Sequence, residues 1–166
     1  LERLPEAAEA YQNALKIDSA YSDVAVNLAE LQNNKASLLE LDAKNPTEAR
    51  PCYYLGRREF AEKNYSEALK FLQQADNLLE AAEIKVLLAE TYLALHQADQ
   101  ALPIFYQALR LNPHNVAASL HIADLEAEKE NYAEAENFYK KTLELDNNNL
   151  QAHTNYANML CKRKRT

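Results

Sequence analysis

A ladder of small residues recurs along this chain at a nearly constant spacing. Leu55-Gly56, Leu88-Ala89, Ile122-Ala123 and Tyr156-Ala157 each set a glycine or alanine behind a large apolar side chain, and the small residues stand 33, 34 and 34 positions apart. A second ladder, Ala68, Ala101 and Ala135, is spaced by 33 and 34, and each member is followed four residues later by Leu72, Phe105 or Tyr139. Two ladders that agree in period and phase describe one supersecondary unit, stacked several times.

The unit is helical. Between the ladders lie short breaks, Lys63-Asn64-Tyr65, His96-Gln97-Ala98 and Glu130-Asn131-Tyr132. Each unit closes on a polar turn such as Leu111-Asn112-Pro113-His114-Asn115 or Leu145-Asp146-Asn147-Asn148-Asn149, where Asn, Asp and Pro stop a helix. Within each half the apolar residues recur at three- and four-residue steps. From Ala98 to Leu111, Ala101, Leu102, Phe105, Ala108, Leu109 and Leu111 form one broad apolar face, opposite Asp99, Gln100, Gln107 and Arg110. Glycine occurs once, at Gly56. That single glycine argues against strand-rich folds and excludes the glycine-rich phosphate-binding fingerprints, which need at least two.

These residues resemble the tetratricopeptide repeat. The family places a large residue, leucine-glycine and tyrosine in its first helix, alanine and an aromatic in its second, and proline at the end. Cys52, Leu55, Gly56, Ala68 and Leu72 follow that pattern. So do Lys85, Leu88, Ala89, Tyr92, Ala101, Phe105 and Pro113, and then Ser119, Ile122, Ala123, Ala135 and Tyr139. The family tryptophan is absent, and Glu59 and Glu126 replace the tyrosine. The resemblance implies an all-α, right-handed solenoid of antiparallel helix pairs running as a single array over residues 1–166. Residues 1–18 form a lone second helix marked by Ala7, Tyr11, Ala14, Leu15 and Ile17, residues 19–48 a shortened repeat, residues 49–81, 82–115 and 116–149 full repeats, and residues 150–166 a terminal or capping helix. Beginning and ending within a repeat, the chain reads as a piece of a longer array.

One stretch breaks the period. Ala29, read as the equivalent of Gly56 at the end of a first helix from Ala20 to Asn33, lies only 27 residues before it. Asn45-Pro46-Thr47-Glu48 looks like an extended turn, which leaves a second helix of about Lys35 to Leu41. Three readings stand: a short helix, one long helix over residues 22–42, or a loop missing between Asn34 and Lys35; a missing or shortened segment there is preferred.

Composition narrows the chemistry. The net charge of −7 disfavours nucleic-acid binding, which needs a basic face. No apolar run is long enough to span a membrane, and no signal-like segment opens the chain. Cys52 and Cys161 lack metal-ligand spacing and read as reduced thiols, as in a cytoplasmic protein. His96, His114, His121 and His153 stand three or four residues from neither one another nor a cysteine, so no helical metal pair is expected. The acids Glu126, Glu128, Glu130, Glu134 and Glu136 read as a solvated face, and the basic tail from Lys162 to Arg165 as cations favoured at a helix C-terminus. No catalytic constellation and no cofactor motif is present, and an enzyme is not expected.

The resemblance also implies that first helices line a concave groove. Its stripes would be Arg50, Tyr53, Tyr54 and Arg57; then Glu83, Val86, Leu87 and Glu90; then Ala117, Leu120, His121 and Asp124; and last Gln151, Thr154, Asn155 and Asn158. Family members that grip a C-terminal carboxylate place basic and amide residues where Val26, Glu30, Glu83, Leu87 and His121 stand, so that function is not expected. The asparagine ladder of sugar-transferase arrays survives only at Asn27 and Asn155. The expected function is a scaffold whose groove holds a partner peptide or helix. The alternatives are a regulatory or substrate-recruiting segment of a larger enzyme, and a structural array that self-associates through its open end helices. Ala123→Phe overpacks the helix contact by about 1–3 kcal/mol, and a melting temperature unchanged from the parent chain would refute this register.

Overall fold

The computed structural model describes residues 4–19 and 21–164 and consists, among these, of ten α-helices without strands. They are α1 (Leu4–Ile17), α2 (Ser22–Leu31), α3 (Lys35–Lys44), α4 (Ala49–Ala61), α5 (Tyr65–Leu78), α6 (Ala82–Ala94), α7 (Ala98–Leu111), α8 (Val116–Glu128), α9 (Tyr132–Leu145) and α10 (Leu150–Arg163). Ala20 and Arg165 lie outside the described residues. The chain forms two compact units, Leu1–Glu80 and Ala81–Thr166. In the first, α2 pairs with α3 and α4 with α5; in the second, α6 pairs with α7 and α8 with α9, while α10 lies on α9.

Each pair is joined by the same tight turn. Asn33, Lys63, His96 and Glu130 take left-handed backbone, with φ of 52°, 64°, 61° and 63°. After each, the next amide donates to the carbonyl five residues back: Asn34 to Ala29 at 2.8 Å, Asn64 to Glu59 at 2.8 Å, Gln97 to Tyr92 at 2.9 Å and Asn131 to Glu126 at 2.8 Å. This reversal satisfies the last carbonyls of the first helix without a glycine. Asparagine caps recur at three helix starts, one inside a pair and two between pairs. Asn34, Asn115 and Asn149 side chains accept from the amides of Ser37, Ala118 and Ala152, capping α3, α8 and α10.

The turns revise the register of the irregular stretch. Asn33, Lys63, His96 and Glu130 are spaced by 30, 33 and 34. Counted from them, the equivalent of Gly56 is Val26 rather than Ala29, and the equivalent of Ala68 is Leu38. Val26 is fully buried, and Leu38 is buried beside it in a cluster with Ala29 and Leu55. No single helix spans residues 22–42, because the turn at Asn33 divides α2 from α3. Nor is the closing turn extended: Asn45–Glu48 has the length and the backbone hydrogen bond of 112–115 and 146–149. The shortening lies in α3, with 10 residues where α5, α7 and α9 have 14. A loss of four residues is close to one helical turn, so it preserves the buried face.

The small ladder marks where paired helices approach most closely. Ala89 packs in a cluster with Ala101 and Phe105, and Ala123 in one with Ala135 and Tyr139. At Gly56 the facing helix leaves no room for a β-carbon. A β-carbon there would lie 2.6 Å from Leu72 Cγ and 2.8 Å from its Cδ2. Leu72, branched at Cγ, stands where the planar rings of Phe105 and Tyr139 stand in the other pairs.

Two carboxylates sit at the tyrosine position of the repeat, and both are buried. Glu59 is 1% exposed, pairs with the Lys35 ammonium and accepts from Asn64 Nδ2 at 3.0 Å. Glu126, which the sequence assigns to a solvated face, is 7% exposed and accepts from Asn131 Nδ2 at 2.7 Å and from the Tyr106 hydroxyl at 3.1 Å. In both cases the asparagine follows the left-handed residue of the turn, so each carboxylate pins the turn that closes its own helix. Burial by itself would raise the pKa of Glu59; the Lys35 ammonium, the Asn64 amide and the nearby Arg58 outweigh it and hold the group below its ordinary range. Cys52 is a core thiol. Burial and its hydrogen bond to Asp42 at 2.7 Å push its pKa up to about 12.

Two measurements probe these contacts. Gly56→Ala gains about 1 kcal/mol of helix propensity but overpacks against Leu72 by about 1–3 kcal/mol. The expected result is a lower melting temperature; an increase would show that Leu72 yields freely. Because the folded Glu59 pKa is lowered, its contribution is fully present above the unfolded value and is lost as pH falls through the folded one. Glu59→Gln should therefore be less stable than the parent chain at pH 7, with the gap narrowing below pH 4.5. Urea midpoints at pH 7 and pH 3 test this, and a constant gap would exclude the linkage.

Candidate functional site

Three equivalent recesses lie between successive first helices, one in the first unit between α2 and α4 and two in the second, at α6–α8 and α8–α10. The same helical positions line each. Tyr54, His121 and Asn155 contribute from the later helix, and Glu30, Leu93 and Ala127 from the earlier one.

In the first unit, α4 lines the recess with Tyr54 and Arg57, and Arg50 and Tyr53 lie against Tyr54 on the same helix. The Tyr53 and Tyr54 rings sit 5.4 Å apart, and both arginines flank the Tyr54 ring, Arg57 at 5.0 Å and Arg50 at 5.9 Å from its centroid. These cations are already matched. Arg50 donates to Asp23 at 2.5 Å and to Asn27 at 2.8 Å, and Arg57 forms an ion pair with Glu30. Arg58, one residue on, donates to the Asn33 carbonyl and side chain, each at 2.6 Å, tying α4 to the preceding turn. The basic, aromatic end read from the sequence is thus a layer of Arg-Tyr-Arg neutralised by acids and an amide from α2.

In the second unit the lining is acidic. Glu83 is exposed on α6, with Val86, Leu87 and Glu90 half-buried along the same helix. Glu90 lies 3.4 Å from His121 Nε2, and the His121 ring stacks on Phe105 at 4.8 Å. Asp124 Oδ1 accepts from the Tyr139 hydroxyl at 2.6 Å and from Asn155 Nδ2 at 2.9 Å. Asp124 and Glu128 line both recesses of this unit; Asn158 and Lys162 complete the one beside α10.

Leu120, placed in the groove by the sequence, is not available to a ligand. It is 6% exposed and packs with Ala123, Ala152 and Met159, because its side chain turns from the recess toward α10. Conversely, Tyr139 has a polar role that its ladder position, apolar in the other pairs, does not suggest. Its hydroxyl, unlike Leu72 or Phe105, was the available signal: a buried phenol requires a partner, and Asp124 supplies it. Burial and that bond raise the phenol pKa, so Tyr139 stays a neutral donor.

Among the described residues, no three His, Cys, Asp or Glu side chains converge as metal ligands would, and no helix is long and apolar enough to cross a membrane. Within each unit the first helices offer fixed carboxylates, amides and half-buried apolar side chains. That surface can hold an extended or helical segment of another chain by hydrogen bonds and charge.

Residues 92–158 match the family model described as tetratricopeptide repeat. The chain is 35% identical over 102 residues, 61% of its length, to tetratricopeptide repeat protein 8 of Mus musculus, and spans 18% of that protein. In structure it is similar to YrrB, described as a protein of this repeat class with an unusual peptide-binding site. The TM-score is 0.80 and the identity 20%, covering 95% of this chain and 85% of that one. It is also similar to the first repeat domain of Spaghetti (RPAP3) bound to the HSP90 peptide SRMEEVD, with a TM-score of 0.68 and 19% identity, covering 70% of this chain and 94% of that one.

Proposed function

We propose that this chain, whose residues 92–158 match the tetratricopeptide-repeat family, is a protein-interaction module whose second unit holds a cationic segment of a partner protein along α6, α8 and α10. The observation that carries this reading is the sign of the lining. Asp124 and Glu128 line the recesses with Lys162, His96 and His121, and Glu83 and Glu90 add two more acids on α6, whereas the arginines of the first unit are offset by Asp23 and Glu30. Peptide binding by YrrB and by the RPAP3 repeat domain supports the general use of such helices. The RPAP3 peptide SRMEEVD is rich in acids, and this acidic lining would repel it. Leu87, half-buried on α6, supplies apolar contact between the carboxylates, so the preferred segment alternates Lys or Arg with apolar residues.

Paired capture from lysate tests the reading. The baits are the parent chain, Glu90→Lys with Glu128→Lys, and Tyr54→Ala with Arg57→Glu, each checked for equal helicity. Partners captured by the parent should weaken by at least about tenfold on the first variant, since like-charge contacts cost more than the ~1.4 kcal/mol that factor needs. They should persist on the second variant. Loss on the second alone would move the site to the Arg-Tyr-Arg layer; retention on both would remove the groove from the function.

A further inference from the structure

We propose that the contact of His121 with Glu90 is a proton-operated brake on the groove of the second unit, withdrawing Glu90 from a cationic partner as pH falls; this rests on the reading of that groove as a site for a cationic segment. The contact recurs at one position of the repeat. Asn155 stands two residues before Ala157 on α10 and donates from Nδ2 to Asp124 Oδ1 at 2.9 Å, Asp124 being the residue after Ala123 on α8. One repeat earlier, His121 stands two residues before Ala123, and its Nε2 lies 3.4 Å from Oε1 of Glu90, the residue after Ala89 on α6. An amide donates at any pH. An imidazole is a full cation only when protonated, and histidine changes charge between about pH 5 and 8. The two contacts are therefore one link between successive first helices, fixed in one recess and titratable in the other.

The surroundings hold the imidazole where its charge matters. The ring stacks on the fully buried Phe105 of α7, with centroids 4.8 Å apart and planes at 20°, while the side chain keeps 27% exposure and lines the recess. Around it, α6 contributes Glu90, the turn after α6 contributes His96, and α8 itself contributes Asp124 and Glu128. Asp124 is engaged at Oδ1 by Tyr139 of α9 and Asn155 of α10. Lys129, just past α8, pairs with Asp99 of α7 at 2.9 Å. When His121 is neutral, Glu90 is available to a lysine or arginine of the partner. When it is protonated, the imidazolium and the partner's cation compete for one carboxylate, and the recess carries one more positive charge. Partner binding and protonation then oppose each other reciprocally. Affinity is full above the histidine range and falls as pH drops through it.

Fluorescence anisotropy with a labelled peptide of four Lys-Leu repeats, at pH 7.5 and pH 5.5, tests this. The parent chain should bind at least about threefold more weakly at pH 5.5, the size of one partly exposed charge interaction. His121→Asn, which places the amide of Asn155 at this position, should lose that drop. His96→Asn, at the exposed left-handed turn residue, should keep it. A drop that survives in His121→Asn would overturn the proposal and leave the groove reading in place, whereas a peptide that binds at neither pH would overturn both. The free chain gives a second readout. The coupling between His121→Asn and Glu90→Gln, read from melting temperatures in a double-mutant cycle, should be larger at pH 5.5 than at pH 8. Equal coupling at the two pH values would also overturn the proposal.

Discussion

Close approach of the two helices of a pair, permitted by Gly56, Ala89 and Ala123, is the contact on which the other features depend. A larger residue at these positions would push the second helix away and open the space filled by Leu72, Phe105 and Tyr139. With the approach intact, a helix of 13 or 14 residues that would be marginal alone gains a buried face on its neighbour. Stability then accumulates pair by pair, as in other repeat folds.

The irregular stretch shows how much variation that contact tolerates. Removing four residues from α3 leaves Val26 and Leu38 buried at the ladder positions, since four residues make about one turn. The aromatic position of that pair is occupied by Asp42, which accepts from Cys52 and from Gln74 at 3.3 Å. A polar contact there ties the shortened helix to the following pair. The buried Glu59 and Glu126 act in the same spirit at the turns, where a carboxylate and an asparagine replace the apolar contact that a tyrosine would make.

Within each unit the surface along the first helices follows from what each helix meets. Arg50 and Arg57 on α4 meet Asp23, Asn27 and Glu30 on α2 and are matched there. Glu83 and Glu128 remain exposed, and the second unit keeps an acidic lining. The net sign of this surface therefore depends on pairing between first helices, not on the charge of any one helix.

Periodicity alone determined the helical class, the phase of both ladders and the position of most turns, because one apolar face recurring at helical spacing can be buried in only a few ways. It also placed Tyr54, Leu87, His121 and Asn155 at one position of successive first helices. Where the ladder residue was Val26 rather than glycine or alanine, the small-residue signal led to Ala29 instead, and only the left-handed turn at Asn33 corrected the register. Tertiary structure alone decided which polar side chains were matched. The burial of Glu59, Glu126 and Leu120, the neutralisation of Arg57 by Glu30 and the hold of Tyr139 on Asp124 all join residues of different helices, and such pairings arise from helix packing, which local sequence does not encode.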